Sequence, residues 1–164
     1  MVKKYCATED QSPHSLWFST ADTESVPKLD PHRTILFQSK PDEHLCNSIS
    51  ADFYRQRVLS IHKWARQLGT NTFLTDYSTP FGLLALETLL ALRKGDDSFR
   101  VFSFRSCYIG SRRTYRTVVE SNLELILLVS QSDYCYSGSS PQACAHIYSH
   151  VAIDCSEYRV WIAK

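Results

Sequence analysis

Short apolar runs alternate with amphipathic stretches from residue 34 onward. The runs are rich in β-branched, aromatic and aliphatic residues, which is typical of buried strands, and they lie at Thr34–Phe37, Thr72–Thr75, Arg100–Phe104, Leu123–Val129 and Tyr158–Ala163. Between them, apolar residues recur at spacings of three and four, which predicts helices over 51–68, 80–94, 111–121 and 141–155. Strands alternating with helices predict right-handed crossovers and a mostly parallel sheet covered on both faces.

The ends of the first two helices carry recognisable capping residues. Ser50 is a suitable N-cap for the first helix, and Gly69 stands where a C-cap is needed. Thr79 as N-cap and Pro80 at the first helical position start the second helix, with Gly95 beyond its end. The predicted fold is a single α/β, Rossmann-like domain with a five-stranded sheet.

Residues 1–33 differ from the rest of the chain. They are polar, contain Pro13, Pro27 and Pro31, and show no sustained periodicity, so they are predicted to be an N-terminal arm preceding a domain over 34–164. The apolar triplet 16–18 is predicted to dock on the core of the domain or on a partner.

The composition of the chain argues against several classes of protein. The chain has 164 residues, 43% hydrophobic content and a net charge of +1, which argues against a general attraction to nucleic acid or anionic membranes. No apolar run approaches the ~20 residues that span a bilayer, and the N-terminus lacks the apolar core of a signal peptide. We therefore expect a cytoplasmic protein. Its six cysteines, with no CxxC pair, are expected to be reduced, and no cofactor is predicted.

The segment 144–155 contains residue types that can bind zinc. His146 and His150 are four residues apart and can share a helix face, but Cys144 would point elsewhere. Because no second compact pair of ligands accompanies them, no metal site is predicted.

Candidate ligand residues follow the predicted strands, since open α/β sheets bind ligands beyond their carboxyl ends. The segment 99–116 also contains five arginines and no acidic residue. Of these, Arg105 and Arg112 are placed to meet a phosphate near a helix N-terminus, and the others suit a solvated basic face. The predicted ligand-binding set is Ser39, Lys40, Ser78, Thr79, Arg105 and Arg112.

The stretch Phe73–Glu87 resembles the strand, turn and helix of the YpsA-like branch of the SLOG superfamily, with the approximate pattern F-[IL]-[ST]-G-x-A-x-G-x-D-x-x-A-A-E. The matching residues are Phe73, Leu74, Thr75, Ala85 and Glu87. Segments 35–45 and 144–161 resemble two further family segments in the same order, so the resemblance covers about 34–163. It implies a Rossmann-like nucleotide-ligand domain in which Glu87 is the candidate general acid or base at a ribosyl bond. The alternative is that Glu87 is a helix-surface carboxylate.

The departures from the family pattern fall at its ligand turns. The turn glycines are replaced by Asp76 and Pro80, the following Asp by Gly82, and an Arg-Asn pair by Tyr148 and Ser149. The T-G-H-R turn falls on 38–41, and the terminal Gly-Gly-Thr turn has no counterpart. A phosphate cradle requires glycine for close approach of backbone N–H groups, and a carboxylate at position 76 would repel the phosphate. The family pocket is therefore predicted to be altered or lost.

The predicted helix 141–155 contains no lysine or arginine and only one acidic residue, Asp154. Such a helix is predicted to be buried on more than one side, by the N-terminal arm or by a second subunit. It is therefore the predicted surface for a homo-oligomer or a protein partner.

Three functions remain open from the sequence. The first is a degenerate SLOG-like, non-catalytic module that binds or senses a nucleotide-like ligand or a protein. The second is an enzyme similar to nucleotide phosphoribohydrolases, with Glu87 acting at the ribosyl bond and Arg105 or Arg112 holding phosphate. The third is a purely structural interaction protein.

Overall fold

The computed structural model describes residues 3–7, 28–39, 48–106, 123–138 and 141–161. The strands are β1 (Lys3–Ala7), β2 (Thr34–Gln38), β3 (Thr72–Asp76), β4 (Arg100–Phe104), β5 (Tyr134–Gly138) and β6 (Tyr158–Trp161). The helices are α1 (Ser48–Gln67), α2 (Pro80–Arg93), α3 (Leu123–Ser130) and α4 (Pro141–Ile147), the last continuing into a π-helical segment, Tyr148–Ile153. The predicted helix 111–121 and the apolar triplet 16–18 lie outside the described residues.

The strands form one parallel sheet in the order β1-β5-β4-β3-β2-β6. The predicted α/β class and parallel sheet are therefore confirmed, and five of the strands come from 34–164 as expected. The sixth, β1, comes from the N-terminal arm, which was predicted to contribute no element. Its sequence Lys-Lys-Tyr-Cys-Ala is too short and too polar for a visible alternation, and the strand is held by pairing with β5.

Side chains on the inner strands alternate between two buried faces. Ile35 and Phe37 point to the face covered by α1 and α2, whereas Leu36 points to the face covered by α4 and the π-helical segment. The register aligns Leu36 with Leu74 and Phe102 on this second face. Burial on both sides explains why these strands carry apolar residues on both faces and are buried at nearly every position.

The run Leu123–Val129 was predicted to be a strand, and this prediction is wrong. It forms α3, and the following strand is Tyr134–Gly138. Leu128 and Val129 pack against the core under α1 and α2, while Leu127 is exposed. A short apolar run fits a strand and a packed helix equally well, because periodicity cannot distinguish them when nearly every residue is apolar.

The predicted caps of α2 and the glycine after α1 agree with the structure, whereas Ser50, the predicted N-cap of the first helix, lies inside α1. The Thr79 side chain accepts a hydrogen bond from the Gly82 N–H, and Pro80 is the first residue of α2. Gly69 follows α1 with φ of 87°, the left-handed conformation that glycine adopts without steric cost. Helix α1 begins at Ser48, slightly before the predicted start.

Within the single chain, the uncharged region 141–153 is buried on the side that faces the sheet, and cover of its other side by the N-terminal arm or a second subunit stays a prediction. Ala143, Ile147, Val151 and Ala152 pack on the sheet, whereas the opposite side is exposed and carries neutral or small residues such as Gln142 and Ser149. Packing on the protein's own sheet accounts for the apolar positions without a second subunit. None of the helices in the described residues is long and apolar enough to cross a membrane.

Candidate ligand site at the carboxyl edge of the sheet

The carboxyl ends of β2, β3 and β4 lie side by side. Ser39 follows β2, Ser78 and Thr79 follow β3, and Arg105 follows β4. The structure therefore brings four of the six predicted ligand residues to one edge of the sheet. Lys40 and Arg112 lie outside the described residues.

Ser39 and Thr79 join the end of β2 to the start of α2. The Thr79 hydroxyl accepts hydrogen bonds from the Ser39 N–H at 3.1 Å and the Gly82 N–H at 3.2 Å, and donates to the Asp76 carbonyl at 2.9 Å. The Ser39 hydroxyl accepts from the Phe81 N–H at 3.2 Å. Because both residues are buried and bonded within the protein, they position the site and are poorly placed to contact a ligand.

Gly82 allows α2 to approach the end of β3 closely. A Cβ at this position would lie 1.9 Å from the Asp76 carbonyl oxygen and 2.7 Å from the Thr79 hydroxyl oxygen. The first turn of α2 is thus packed directly on the backbone of the β3–α2 turn, where the family pattern has an aspartate in place of Gly82.

The Asp76 carboxylate is the centre of the site. It is fully buried, and its Oδ1 accepts from the Ser78 N–H at 3.1 Å, the Ser78 hydroxyl at 2.5 Å and the Ser106 N–H at 3.3 Å. The Ser106 hydroxyl donates to Oδ2. One carboxylate therefore receives donors from the loops that follow two neighbouring strands.

Burial determines the direction in which the pKa of Asp76 is shifted. Loss of solvent raises the pKa of this carboxyl above its usual value, and the hydrogen bonds from Ser106 and Ser78 oppose that shift. The sequence prediction treated Asp76 only as a charge that repels phosphate and did not include Ser106. The pattern Asp-x-Ser directly after a strand was the available signal, because an aspartate commonly accepts from the backbone two residues ahead.

Arg105 points into the protein. Its residue exposure is 4%, and its charge acts on the buried phenol of Tyr77. Burial raises the pKa of Tyr77 above its usual range, and the Arg105 charge opposes this shift. A guanidinium so deeply buried contributes positive potential beneath the edge and presents little surface to a ligand.

Tyr148, which the SLOG resemblance aligns with an arginine, reaches this edge from the other face of the sheet. Its hydroxyl accepts from Gln38 Nε2 at 3.1 Å, and its ring stacks with Phe104 at 6.5 Å between centroids. A neutral phenol therefore lies where the SLOG pattern would have a cation. The sequence marked position 148 as a departure but did not place it in the site, because helical periodicity does not reveal a π-helical segment.

Glu87 lies away from this edge. It is exposed, seven residues beyond Pro80 and so about 10 Å along α2. It lines a groove of about 290 Å³ between α2 and α3, whose other lining residues are Leu83, Glu124, Leu125, Leu127, Leu128 and Gln131. The structure thus separates the candidate catalytic carboxylate from the candidate ligand residues.

The histidines of the 144–155 segment form a local cluster. The His146 and His150 rings are 4.3 Å apart, and His150 Nδ1 lies 3.2 Å from an Asp154 carboxylate oxygen. In the part of the chain that the structure describes, no group of three or more histidine, cysteine or acidic side chains is arranged to hold a metal. Cys135, Cys144 and Cys155 are free thiols.

The sequence matches no known protein-family model and no curated protein. The resemblance to the SLOG superfamily therefore stays a prediction, and the geometry of the site carries the functional argument.

Proposed function

We propose that this chain is a non-catalytic binding module for a nucleotide-like ligand, which it receives at the carboxyl edge of β2, β3 and β4. The position of the site supports the proposal, because open α/β sheets bind ligands at this edge. The polar residues Ser78 and Ser106 are partly exposed there, above the buried carboxylate of Asp76.

The hydrogen bonding of Asp76 carries the proposal. In a phosphate-binding turn, backbone N–H groups and hydroxyls are directed toward the ligand's anion. Here the N–H and hydroxyl groups of Ser78 and Ser106 are directed toward the Asp76 carboxylate. The protein's own anion occupies the place of a ligand phosphate in this turn.

The hydrogen bonds to Asp76 determine which part of the ligand can lie against the β3–α2 turn. A phosphate brought to it would face a carboxylate and find the hydroxyl protons of Ser78 and Ser106 already donated. An uncharged group, such as a ribose or a nucleobase edge, avoids that repulsion. The expected ligand is a nucleoside, or a nucleotide whose phosphate lies away from the β3–α2 turn.

The position of Glu87 supports a function without turnover. Hydrolysis of a ribosyl bond requires a carboxylate within hydrogen-bond range of the reacting atoms, and a small misplacement costs about a hundredfold in rate. Glu87 faces the groove between α2 and α3. A substrate held over Ser78 would therefore have no contact with it.

Two measurements on the full chain test this proposal. Isothermal titration with the four common ribonucleosides and their 5′-monophosphates should show heat of binding for at least one nucleoside. Release of free base from the monophosphates should be undetectable for the wild type and for Glu87→Gln. Turnover that disappears in Glu87→Gln would support the enzyme, and absence of binding to every compound would support a purely structural role.

A further inference from the structure

The groove between α2 and α3 has no part in the proposed nucleoside site. Its volume is about 290 Å³, close to the lower limit of the cavities in which proteins bind small molecules. Leu83 and Leu128 are half-buried and pack against the core, so they form its floor. Leu127 lines the groove and is 53% exposed. The groove therefore offers apolar surface that a bound molecule would remove from water.

Two carboxylates border this apolar surface, one from each helix. Glu87 of α2 and Glu124 of α3 both line the groove and are exposed. Neither forms an ion pair with another of the described residues. The third polar side chain of the lining, Gln131, is uncharged and donates to the Leu127 carbonyl at 3.3 Å. Negative charge therefore reaches the groove from both of its walls.

Little positive charge lies near these carboxylates in the sequence. Residues 80–92 and 117–158 contain no lysine or arginine. Arg93 ends α2, but its guanidinium is bonded to the Asp133 carboxylate at 3.2 Å. A groove with apolar walls and unbalanced negative charge is complementary to a cation that is attached to an apolar body.

The size of the groove favours a small molecule over a partner helix. A helix with its side chains is about 10–12 Å across, which is too wide to enter a groove of about 290 Å³. A single aromatic ring or a short alkyl chain is the apolar body that such a volume accommodates.

We propose that this groove binds a small organic amine in its protonated form, with an aromatic ring or a short alkyl chain as its apolar body. The apolar body lies over Leu83 and Leu128 and against Leu127. The ammonium group is held by the carboxylates of Glu87 and Glu124 through charge-assisted hydrogen bonds. This site is separate from the carboxyl edge of the sheet, so the inference does not depend on nucleoside binding.

Three compounds with one apolar body test the charge selectivity: phenethylammonium, the neutral phenethyl alcohol and the anion hydrocinnamate. They are titrated into the full chain, and the leucine methyl groups are observed by NMR. We expect phenethylammonium to bind with the millimolar affinity of so small a ligand, about tenfold more tightly than the alcohol, and hydrocinnamate not to bind. The shifts should be largest at the four groove leucines 83, 125, 127 and 128. Leu36 and Leu74, on the other face of the sheet, should not shift.

Single substitutions separate the charge from the apolar contact. Glu87→Gln and Glu124→Gln should each weaken the binding of phenethylammonium about threefold, the effect of one exposed ion pair, and leave the binding of the alcohol unchanged. Leu127→Ser should weaken the binding of both compounds. Asp97→Asn is the matched control, because it removes an exposed carboxylate beyond the end of α2 and should leave the affinity for phenethylammonium unchanged.

Several results would overturn the inference. They are an absence of binding, methyl shifts confined to leucines outside the groove, equal affinity for the ammonium and the alcohol, and an affinity that neither glutamate substitution changes. Light scattering at the same protein concentration tests the other occupant, a second copy of the chain. A dimer that Leu127→Ser dissociates would assign the groove to that copy and would also overturn the inference.

Discussion

Gly82→Ala tests how closely α2 is seated on the β3–α2 turn. The new methyl group would lie 1.9 Å from the Asp76 carbonyl oxygen and 2.7 Å from both the Asp76 carbonyl carbon and the Thr79 hydroxyl oxygen. An ordinary van der Waals contact needs more than an ångström of additional separation from the carbonyl oxygen. The nearest atoms are backbone, so neither side can relieve the contact by a rotamer change, and α2 must move away from β3.

The expected loss of stability follows from two opposing effects. Overpacking of a well-packed site costs about 1–3 kcal/mol of stability and sometimes more. Because this clash is with backbone atoms that cannot move aside, its cost is expected at or above the upper end of that range. Alanine regains up to about 1 kcal/mol through its helix propensity. We expect a net loss of roughly 3 kcal/mol, which corresponds to a fall of about 6–12 °C in melting temperature for a domain of this size.

Gly95→Ala is the matched control, and urea denaturation with a thermal melt is the assay. The nearest atom to a Cβ at Gly95 is 3.9 Å away, and its φ is not positive. Alanine there should stabilise the domain slightly, by about 0.4–1 kcal/mol, because it restricts the unfolded chain. If Gly82→Ala is as stable as Gly95→Ala, the close seating of α2 is refuted.

Three further predictions concern single side chains. Thr79→Ala should lower the free energy of unfolding by about 1–2 kcal/mol in urea, because α2 loses its N-cap and the Ser39 N–H its acceptor; an unchanged value would contradict the cap. Burial lowers the pKa of His62 below 6.5, and its Nε2 has no hydrogen-bond partner within the described residues. The unfolded chain then binds the proton more readily, so stability should fall as pH decreases through 6.5, and His62→Phe should weaken this slope. For Asp76 the pH dependence of stability has the opposite sign. Because its pKa is raised, the free energy of unfolding should fall as pH rises above 3.8, and Asp76→Asn should lack this pH dependence.

The fold was readable where two independent signals agree. Strands β2, β3 and β4 are apolar on both faces, and residues that break or cap structure mark neighbouring element ends, such as Gly69 before β3 and Thr79 after it. The apolar pattern and the capping residues both depend on neighbouring positions in the chain, so they can be recognised from the sequence. Helix α3 was missed although Asn122, a residue type preferred at helix N-caps, directly precedes Leu123, because the nearly continuous apolar run was interpreted as a buried strand. Strand β1 depends on pairing with β5, which residues 3–7 alone do not reveal.

For the candidate ligand site, the sequence predicts which residues lie at the carboxyl edge of the sheet, but it does not predict their hydrogen bonds. The ends of the strands placed Ser39, Ser78 and Arg105 correctly at one edge, because parallel strands end together. The direction of each donor depends on distances between different loops. Ser106 meets Asp76 because β3 and β4 are neighbours in register, and Arg105 is buried close enough to Tyr77 for its charge to act on that phenol. No local pattern encodes either contact.

The relative affinity for a nucleoside and its 5′-monophosphate tests the central claim most directly, namely that Asp76 occupies the place of a ligand phosphate. Isothermal titration should be carried out on the wild type and on Asp76→Asn, which removes the charge and keeps one acceptor oxygen. We expect the wild type to bind the nucleoside at least about tenfold more tightly than the monophosphate, and Asp76→Asn to reduce that ratio several-fold. Tighter binding of the monophosphate to the wild type, or a ratio that Asp76→Asn leaves unchanged, would contradict the account.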